Sequence, residues 1–479
     1  GLPTAKEPAT KPFWTLFLCA VCAVSAAHAA TVVIDDDQMA RINGKRTFIL
    51  GMYETPKEDA IYDELAAAGF NLVYSGTDME ALDKLAARNL FAWINTGGQI
   101  DLSDTPEAGK KHLADLVAKF GAHPALITWE VPDEALWNCW YGATMWRRNA
   151  EVRQQREKIA ALADKALAEK LAKDRDEVER LFGTGRAAEA EALADAIWEA
   201  LGEKQPHPGL NLSNAQERAD KMAEGMLAGY EELRRLDPAH PVVMNHAPRN
   251  SIAQLAHFTR AADVIACDIY PVPRSRHVGH SDLMDQTPSC VGGYTERLKA
   301  AAPGKPVWLV LQGFGWADIQ PDRTPEIKKE LRRPTLAETR FMAYNAIVRG
   351  ARGLVYWGTA YVEKDSDFWK DLMRAIRELA DLQPVLSAPD AGPMIEAELA
   401  PTWGSLDRGV IALPKNTDSG MWLLVVNEWT DPLTYTLPLG EEHEGKRYTD
   451  PAAGVAATVK DGVLTLPIGP QSVHVLRPE

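Results

Sequence analysis

Short apolar runs alternate with amphipathic stretches between about residues 47 and 360, a pattern typical of a parallel sheet whose strands are joined by helices. Eight such runs occur, at residues 47–53, 71–76, 91–97, 125–131, 241–247, 263–271, 306–314 and 353–359. Helical periodicity separates them, for example at residues 56–68, 78–88, 109–121, 215–236 and 335–350. Eight strands with helices between them predict a (β/α)8 barrel, the TIM-barrel fold. An open doubly wound sheet is the alternative, but no Gly-rich phosphate-binding sequence follows the first run.

The connection after the fourth run is far longer than the others. Its middle, residues 147–204, consists almost entirely of Ala, Leu, Glu, Lys and Arg, with one break at residues 183–185. These residue types lose little rotamer freedom in a helix, so the segment is predicted to be a helical insertion. It extends the fourth βα loop, on the face of the barrel where active sites lie. The sequence leaves three roles open for the insertion: a solvated helical hairpin without chemistry, a lid, or a contact with another protein.

Beyond residue 384 the pattern changes to period-two strands broken by turns, without intervening helices. Such a pattern predicts an antiparallel β-sandwich. The domains are therefore expected to be a barrel at residues 30–383 and a sandwich at residues 384–479. A short β element at residues 31–45 is expected to pack beneath the barrel.

The first residues have the pattern of a secretory signal peptide. Two lysines precede an apolar run at residues 13–27, and an Ala-His-Ala sequence at residues 27–29 provides a cleavage-type end. A membrane anchor is the alternative, but about 15 apolar residues are fewer than the roughly 20 that a membrane-spanning helix needs. A signal peptide at residues 1–29, a secreted or periplasmic protein and no integral membrane segment in the mature chain are therefore predicted.

Composition narrows the classes of function. Hydrophobic residues at 46% and charged residues at 25% are typical of a folded soluble protein, and a net charge of −15 argues against nucleic acid as a partner. The three cysteines after the predicted leader, Cys139, Cys267 and Cys290, have no spacing typical of a metal site. Neither a metal nor a cofactor is expected, and the sequence does not indicate an oligomeric state.

The end of the fourth strand carries the strongest chemical signal. Catalytic groups of barrels come from the C-terminal ends of the strands, and here Asp133 and Glu134 are followed by Trp137 and Trp140. Aromatic faces cover the C–H faces of sugar rings, and a carboxylic acid can protonate a glycosidic oxygen. Other strand ends add the candidate ligand-binding or catalytic residues Glu54, Asn245, Asp268, Tyr270, Gln312, Trp316 and Trp357. Together they predict a polar cup for a neutral carbohydrate with many hydroxyl groups.

Several motifs resemble those of secreted bacterial glycoside hydrolases, in the large clan with (β/α)8 barrels and two catalytic carboxylates. They are His123-Pro124-Ala125-Leu126 before Asp133-Glu134, Leu236-Asp237-Pro238-Ala239-His240-Pro241, Asp268-Ile269-Tyr270-Pro271, and Gly350-Ala351-Arg352-Gly353 with Tyr356-Trp357. The resemblance spans about residues 31–479 except the insertion, and it implies a glycosidase without a cofactor. It also implies that Glu134 is the general acid/base, with Asp133 orienting it or binding a hydroxyl.

Glu130 competes with Glu134 for the acid role, but it ranks lower because the equivalent residue in the clan is usually aromatic. Asn427-Glu428 resembles the Asn-Glu pair on which many members carry their acid. It lies within a predicted sandwich strand and is not expected to be catalytic.

The seventh strand departs from the clan. Its retaining members place a nucleophilic Glu there, whereas this strand ends in Gln312, and an amide cannot act as a carboxylate nucleophile. Asp268 is the best second carboxylate, because its strand end should lie roughly 10 Å from that of Glu134, which allows either retaining or inverting geometry. Glu54 and Glu363 are outside candidates. A catalytically inactive carbohydrate-binding barrel is the alternative function, and a scaffold that docks another protein through the insertion is a more distant one.

Overall fold

The computed structural model describes residues 28–274, 280–404 and 406–479. Eight parallel strands, numbered 1 to 8 along the chain, form a closed barrel in which strand 8 pairs with strand 1. They are Ile49–Met52, Leu72–Tyr74, Phe91–Asn95, Leu126–Glu130, Val242–His246, Val264–Asp268, Val307–Gln312 and Gly353–Trp357. Each lies within one of the eight predicted runs, so the barrel is confirmed and the open sheet is excluded.

Helices cover the outside of the barrel. In chain order they are α1 Asp59–Ala68, α2 Met79–Ala86, α3 Pro106–Phe120, α4 Ala135–Met145, α5 Glu151–Ala160, α6 Lys165–Gly183, α7 Ala187–Ala200, α8 Ala215–Leu236, α9 Ile252–Phe258, α10 Cys290–Ala301, α11 Pro325–Glu330, α12 Leu336–Val348, α13 Asp367–Asp381 and α14 Gln383–Leu386. The strands are buried on both faces, which is why they appear in the sequence as continuous apolar runs. Trp129 on strand 4 and Trp308 on strand 7 are both buried. No helix of the described residues is long and apolar enough to span a bilayer.

The predicted helical insertion is confirmed. Helix α4 continues through one π-helical turn, Trp146–Ala150, directly into α5, and α6 and α7 pack on each other around a small apolar core of their own. Arg147, fully buried, forms an ion pair with Glu151 at 2.7 Å and donates to Asn211 just before α8. The insertion is thus continuous with the helix that follows the fourth strand and is held against the start of α8.

The N-terminal β element lies beneath the barrel, as expected. Its three short antiparallel strands are Val32–Ile34, Ala40–Ile42 and Lys45–Thr47. The amide of Val32 donates to the carbonyl of Ala239, just before strand 5, and Arg352, just before strand 8, donates to the carbonyl of Asp37. These contacts place it at the end of the barrel opposite the C-terminal strand ends. The predicted signal peptide lies outside the described residues except for its last two positions.

The C-terminal region is an antiparallel β-sandwich, as predicted. A six-stranded sheet faces a three-stranded one. The strands are Ile395–Glu396, Glu398–Leu399, Val410–Thr417, Gly420–Asn427, Leu433–Pro438, Arg447–Asp450, Val455–Thr458, Val463–Ile468 and Val473–Pro478. Three of them, at residues 395–396, 398–399 and 447–450, were not predicted because they are short and rich in polar residues.

Glu428 joins the sandwich to the barrel. Its buried carboxylate accepts hydrogen bonds from Asn345 on α12 at 2.7 Å and from Arg349, just beyond the end of α12, at 2.9 Å, and Arg408 approaches to 3.3 Å. A carboxylate so fully engaged on the outside of the barrel wall has a structural role. The expectation that Asn427-Glu428 is not catalytic agrees with this placement.

Replacement of Glu428 by Ala should lower the free energy of unfolding by about 3 to 5 kcal/mol, because Asn345, Arg349 and Arg408 lose the buried carboxylate that they share. Urea unfolding followed by circular dichroism measures this change. Glu479→Ala removes the exposed ion pair with Arg447 and serves as the control, with an expected loss of about 0 to 1 kcal/mol. Equal losses in the two variants would contradict the anchoring role of Glu428.

Candidate active site

The chain turns sharply after strand 4. Pro132 cannot donate a backbone hydrogen bond, and Glu134 adopts a left-handed conformation with φ of 51° at the N-cap of α4. The amide of Glu134 donates to the carbonyl of Asn245 at the end of strand 5. The turn thereby fixes Asp133 and Glu134 at the C-terminal end of the barrel, where active sites of this fold lie.

Strands 4, 5 and 6 bring three carboxyl groups together. Asn245, on the middle strand, donates from Nδ2 to Asp133 at 2.8 Å and to Asp268 at 3.2 Å. The side chains of Glu134 and Asp268 are hydrogen-bonded to each other. Ionised carboxylates only accept hydrogen bonds, so one member of this pair carries a proton. The four predicted residues therefore form one connected cluster.

Burial and mutual repulsion keep this proton bound. Burial raises the pKa of Asp268 well above its usual range, and the negative charge of Glu134 raises it further. Burial also raises the pKa of Glu134, although the hydrogen bond with Asp268 opposes the shift. Two carboxyl groups in contact cannot both ionise readily, so the pair titrates as a unit. Glu134 is only half-buried and is the member that a ligand can reach.

His280 faces the same pair, although no pattern in the sequence indicated it. Its Nδ1 accepts from the backbone amide of Tyr270 at 2.8 Å, and desolvation lowers its pKa to about 3. The neutral ring therefore carries its hydrogen on Nε2, which lies 3.5 Å from a carboxyl oxygen of Asp268. His280 follows strand 6 in an irregular segment, where no periodic pattern singles out a residue.

Aromatic side chains form a wall beside the carboxyl pair. The rings of Tyr270 and Trp357 stack with centroids 5.6 Å apart, and Trp316 donates from its indole to the carbonyl of Tyr270 at 3.2 Å. Phe314 contacts Tyr270 edge-on at 5.1 Å. Trp316 and Trp357 remain partly exposed, so this wall offers a face to a ligand.

The two tryptophans of α4 lie apart from that wall. Trp137 stacks on Tyr141 with centroids 6.0 Å apart, and Trp140 packs against the apolar core while remaining partly exposed. No contact among the described residues ties either tryptophan to the carboxyl cluster. Their predicted role in ligand binding stays a prediction.

Glu130 lies below the cluster, inside the barrel. Its carboxyl accepts hydrogen bonds from Tyr53, from Trp93 at 3.0 Å and from Asn95 at 3.3 Å. Burial raises its pKa to about 8, and the negative charge of Asp133 adds to the shift. Glu130 is therefore a neutral group beneath the site floor at neutral pH. Period-two alternation along the strands could have placed Glu130 and Tyr53 in the barrel interior, but it could not have predicted that they contact each other.

Two other predicted residues are engaged by their neighbours. Gln312 is fully buried, and its amide both accepts from and donates to the backbone of Val272. Glu54 accepts from Thr359 and forms an ion pair with Lys364 at 2.9 Å. Both lie at strand ends as predicted, but in this arrangement they serve the protein's own packing. No His, Cys, Asp or Glu cluster in the described part of the chain is arranged to hold a metal ion.

Comparison with solved structures identifies the architecture. A glycoside hydrolase of family 5 from Bacteroides vulgatus aligns with a TM-score of 0.52 at 13% identity, covering 93% of each chain. Gan42B, a family 42 β-galactosidase from G. stearothermophilus, aligns with a TM-score of 0.51 at 10% identity, covering 94% of this chain and 100% of the other. The β-galactosidase of Marinomonas ef1 is longer: this chain spans 62% of it, at 15% identity and a TM-score of 0.43.

The fold is thus that of (β/α)8-barrel glycoside hydrolases with a C-terminal sandwich. At these identities the likeness is one of fold. No protein-family model matches the chain, and no curated protein matches it in sequence. The proposed chemistry therefore rests on the carboxyl cluster and the aromatic wall.

Glu130 should make stability depend on pH. The folded state holds its proton up to about pH 8, whereas the unfolded chain releases it near 4.5, so stability is lost as pH rises through this window. Glu130→Gln mimics the protonated group. The free energy of unfolding of the native protein, relative to this variant, should fall by up to about 4 kcal/mol between about pH 5 and about pH 8.

Urea unfolding of both proteins at the two pH values measures this difference. Glu231→Gln, at an exposed position on α8, is the matched control and should keep a constant difference from the native protein. A constant difference for Glu130→Gln as well would mean that Glu130 is ionised throughout.

Proposed function

We propose that the protein is a glycoside hydrolase that cleaves O-glycosidic bonds in a neutral oligo- or polysaccharide. In this proposal Glu134 is the proton donor and Asp268 is the second carboxyl group. The observation that carries the proposal is the contact between these two carboxyl groups, whose pKa values are both raised by burial, beside a partly exposed aromatic wall. Acid cleavage of a glycoside needs a carboxyl group that is still protonated near neutral pH, next to a surface that binds sugar rings.

The cluster gives each group a task. The half-buried Glu134 passes the shared proton to the leaving glycosidic oxygen, and the negative charge left on the pair stabilises the positive charge that develops on the sugar. Asn245 holds Asp133 and Asp268 in place, and the neutral His280 orients Asp268 through its Nε2 hydrogen. Sugar rings would stack against Trp316 and Trp357.

A catalytically inactive carbohydrate-binding barrel is the second candidate. The buried amide of Gln312 favours it, because strand 7 supplies no carboxylate. Under this alternative, calorimetry would detect glycan binding, while long incubation would release neither reducing ends nor monosaccharides.

The predicted signal peptide adds a proposed location. An enzyme with such a leader would act in the periplasm or outside the cell on glycans that it meets there. N-terminal sequencing of the protein recovered outside the cytoplasm would then begin near Ala30.

Glu134→Gln should reduce turnover on any glycan that the protein cleaves by about three orders of magnitude or more, because the amide cannot donate the proton. The activity screen should cover polysaccharides and aryl glycosides, including β-galactosides, because the family 42 neighbour is a β-galactosidase. Released sugar is quantified for each variant at equal protein concentration.

Two further variants sharpen the result. Asp268→Asn should also lower turnover strongly, since it removes the partner of the shared proton. Glu107→Gln, an exposed position on α3, is the matched control and should keep the native rate. Native turnover in Glu134→Gln would remove Glu134 from the mechanism.

A further inference from the structure

We propose that the substrate is a glycan chain that lies across the mouth of the barrel, with sugar units bound on both sides of the cleaved bond. The protein then cuts within the chain and does not release single sugars from its end. This inference rests on the proposed glycosidase function and specifies how that site binds its substrate. It starts from exposed aromatic side chains that the proposed chemistry does not use.

The first group of these side chains lies on α4. Trp137, Tyr141 and Met145 are spaced four residues apart, so they form one stripe along the helix, about 12 Å long. Trp137 is partly exposed, and Tyr141 and Met145 are 46% and 43% exposed. The rings of Trp137 and Tyr141 stack on each other. These three residues, the α4 stripe, are a surface that the protein's own packing leaves available to a ligand.

The α4 stripe begins next to the proposed acid. Glu134 is the N-cap of α4, and the positions three, seven and eleven residues later, which carry the stripe, lie on nearly the same face of the helix. The opposite face packs on α8 through the buried Leu136 and Cys139. Asn138 is exposed beside the stripe, and its side-chain amide donates to the carbonyl of Asp133 at 3.4 Å. The stripe therefore leads outward from the carboxyl cluster.

The second group lies at the end of strand 8. Trp357 is the last residue of this strand, and Tyr361, which follows it, is 45% exposed. The two rings contact each other with centroids 5.9 Å apart. Trp357 in turn stacks on Tyr270, two residues beyond Asp268. Tyr361 thus extends the aromatic wall to an exposed ring beyond strand 8.

The order of the strands places the two groups on opposite sides of the mouth. In the closed barrel, three strands separate strand 4 from strand 8 in either direction. Strand 6, which carries Asp268, lies midway between them on one side. Glu134 reaches from the end of strand 4 to contact Asp268. The carboxyl pair therefore lies between the α4 stripe and Tyr361.

A ligand that uses both aromatic groups must extend to both sides of the carboxyl pair. A single sugar ring cannot do so, whereas a chain of sugar units can, with the cleaved bond beside Glu134. The rings of Tyr141 and Tyr361 each combine an apolar face with a hydroxyl group, and Asn138 adds an amide. This combination suits sugar rings, which have apolar C–H faces and many hydroxyl groups. Both aromatic groups thus bind parts of one substrate.

Oligosaccharides labelled at the reducing end test this arrangement. The probes are β-linked glucan, mannan, galactan and xylan, each as the polymer and as oligomers from the dimer to the hexamer, together with any glycan cleaved in the wider screen. The first products should be shorter oligosaccharides and not single sugars. Between the dimer and the hexamer, kcat/KM should rise on the order of 100-fold, because sugar units remote from the cleaved bond contribute binding energy.

Single variants on the two sides should move the point of cleavage in opposite directions. Tyr141→Ala weakens binding on the α4 side and Tyr361→Ala weakens it on the strand 8 side, so the most frequently cleaved bond of the hexamer should shift toward opposite ends. Each variant should lower kcat/KM on the hexamer by about three- to tenfold, with little change on the dimer. Trp403→Ala removes an exposed tryptophan from the C-terminal sandwich and is the matched control, with native rate and native cleavage pattern.

Three results would overturn the inference and leave the proposed glycosidase standing. They are release of single sugars from one chain end as the first product, a kcat/KM that does not depend on chain length, and cleavage patterns that do not shift in opposite directions. A loss in Trp403→Ala equal to that in the other variants would have the same meaning. If neither this panel nor the wider glycan screen is cleaved, both the inference and the proposed function fail.

Discussion

The hydrogen bond between Glu134 and Asp268 links the ends of strands 4 and 6 across strand 5, and the chemistry proposed for the site depends on it. Around it lie further acidic groups, Asp133 and Glu130, and like charges so close together cannot all ionise. The repulsion among these acidic groups is reduced by bound protons and by neutral hydrogen-bond donors such as Asn245 and His280. Because the strands of a closed barrel cannot spread apart, the carboxyl groups cannot separate to relieve their repulsion.

Much of the fold could be predicted from the sequence because each barrel strand is buried on both faces and appears as an apolar run between helices. The composition of residues 147–204 likewise indicated the insertion, and the strand ends indicated Glu134, Asp268 and Asn245. Contacts between these side chains could not be predicted. Strand spacing suggested that the two strand ends lie roughly 10 Å apart. In the structure the side chains of Glu134 and Asp268 lean towards each other and touch. The spacing of strands does not predict the direction in which a side chain at a turn points. His280 was missed for the same reason.

The role of Gln312 is clearer in the structure than in the sequence. In the sequence, Gln312 indicates only that strand 7 ends without a carboxylate. In the barrel, its amide holds both backbone groups of Val272, just beyond Tyr270. The residue therefore steadies the segment that carries the aromatic wall next to Asp268. The same side chain thus leaves the end of strand 7 without a carboxylate and holds the segment next to the aromatic wall.

The left-handed backbone of Glu134 has a consequence for engineering the stability of the protein. A residue with a Cβ atom in this conformation costs about 1 to 2 kcal/mol relative to right-handed backbone, a cost that glycine largely avoids. A glycine at position 134 would thus relax the turn, but it would also remove the carboxyl group that is proposed to donate the proton. The most direct stabilising substitution at this turn is therefore incompatible with the proposed chemistry.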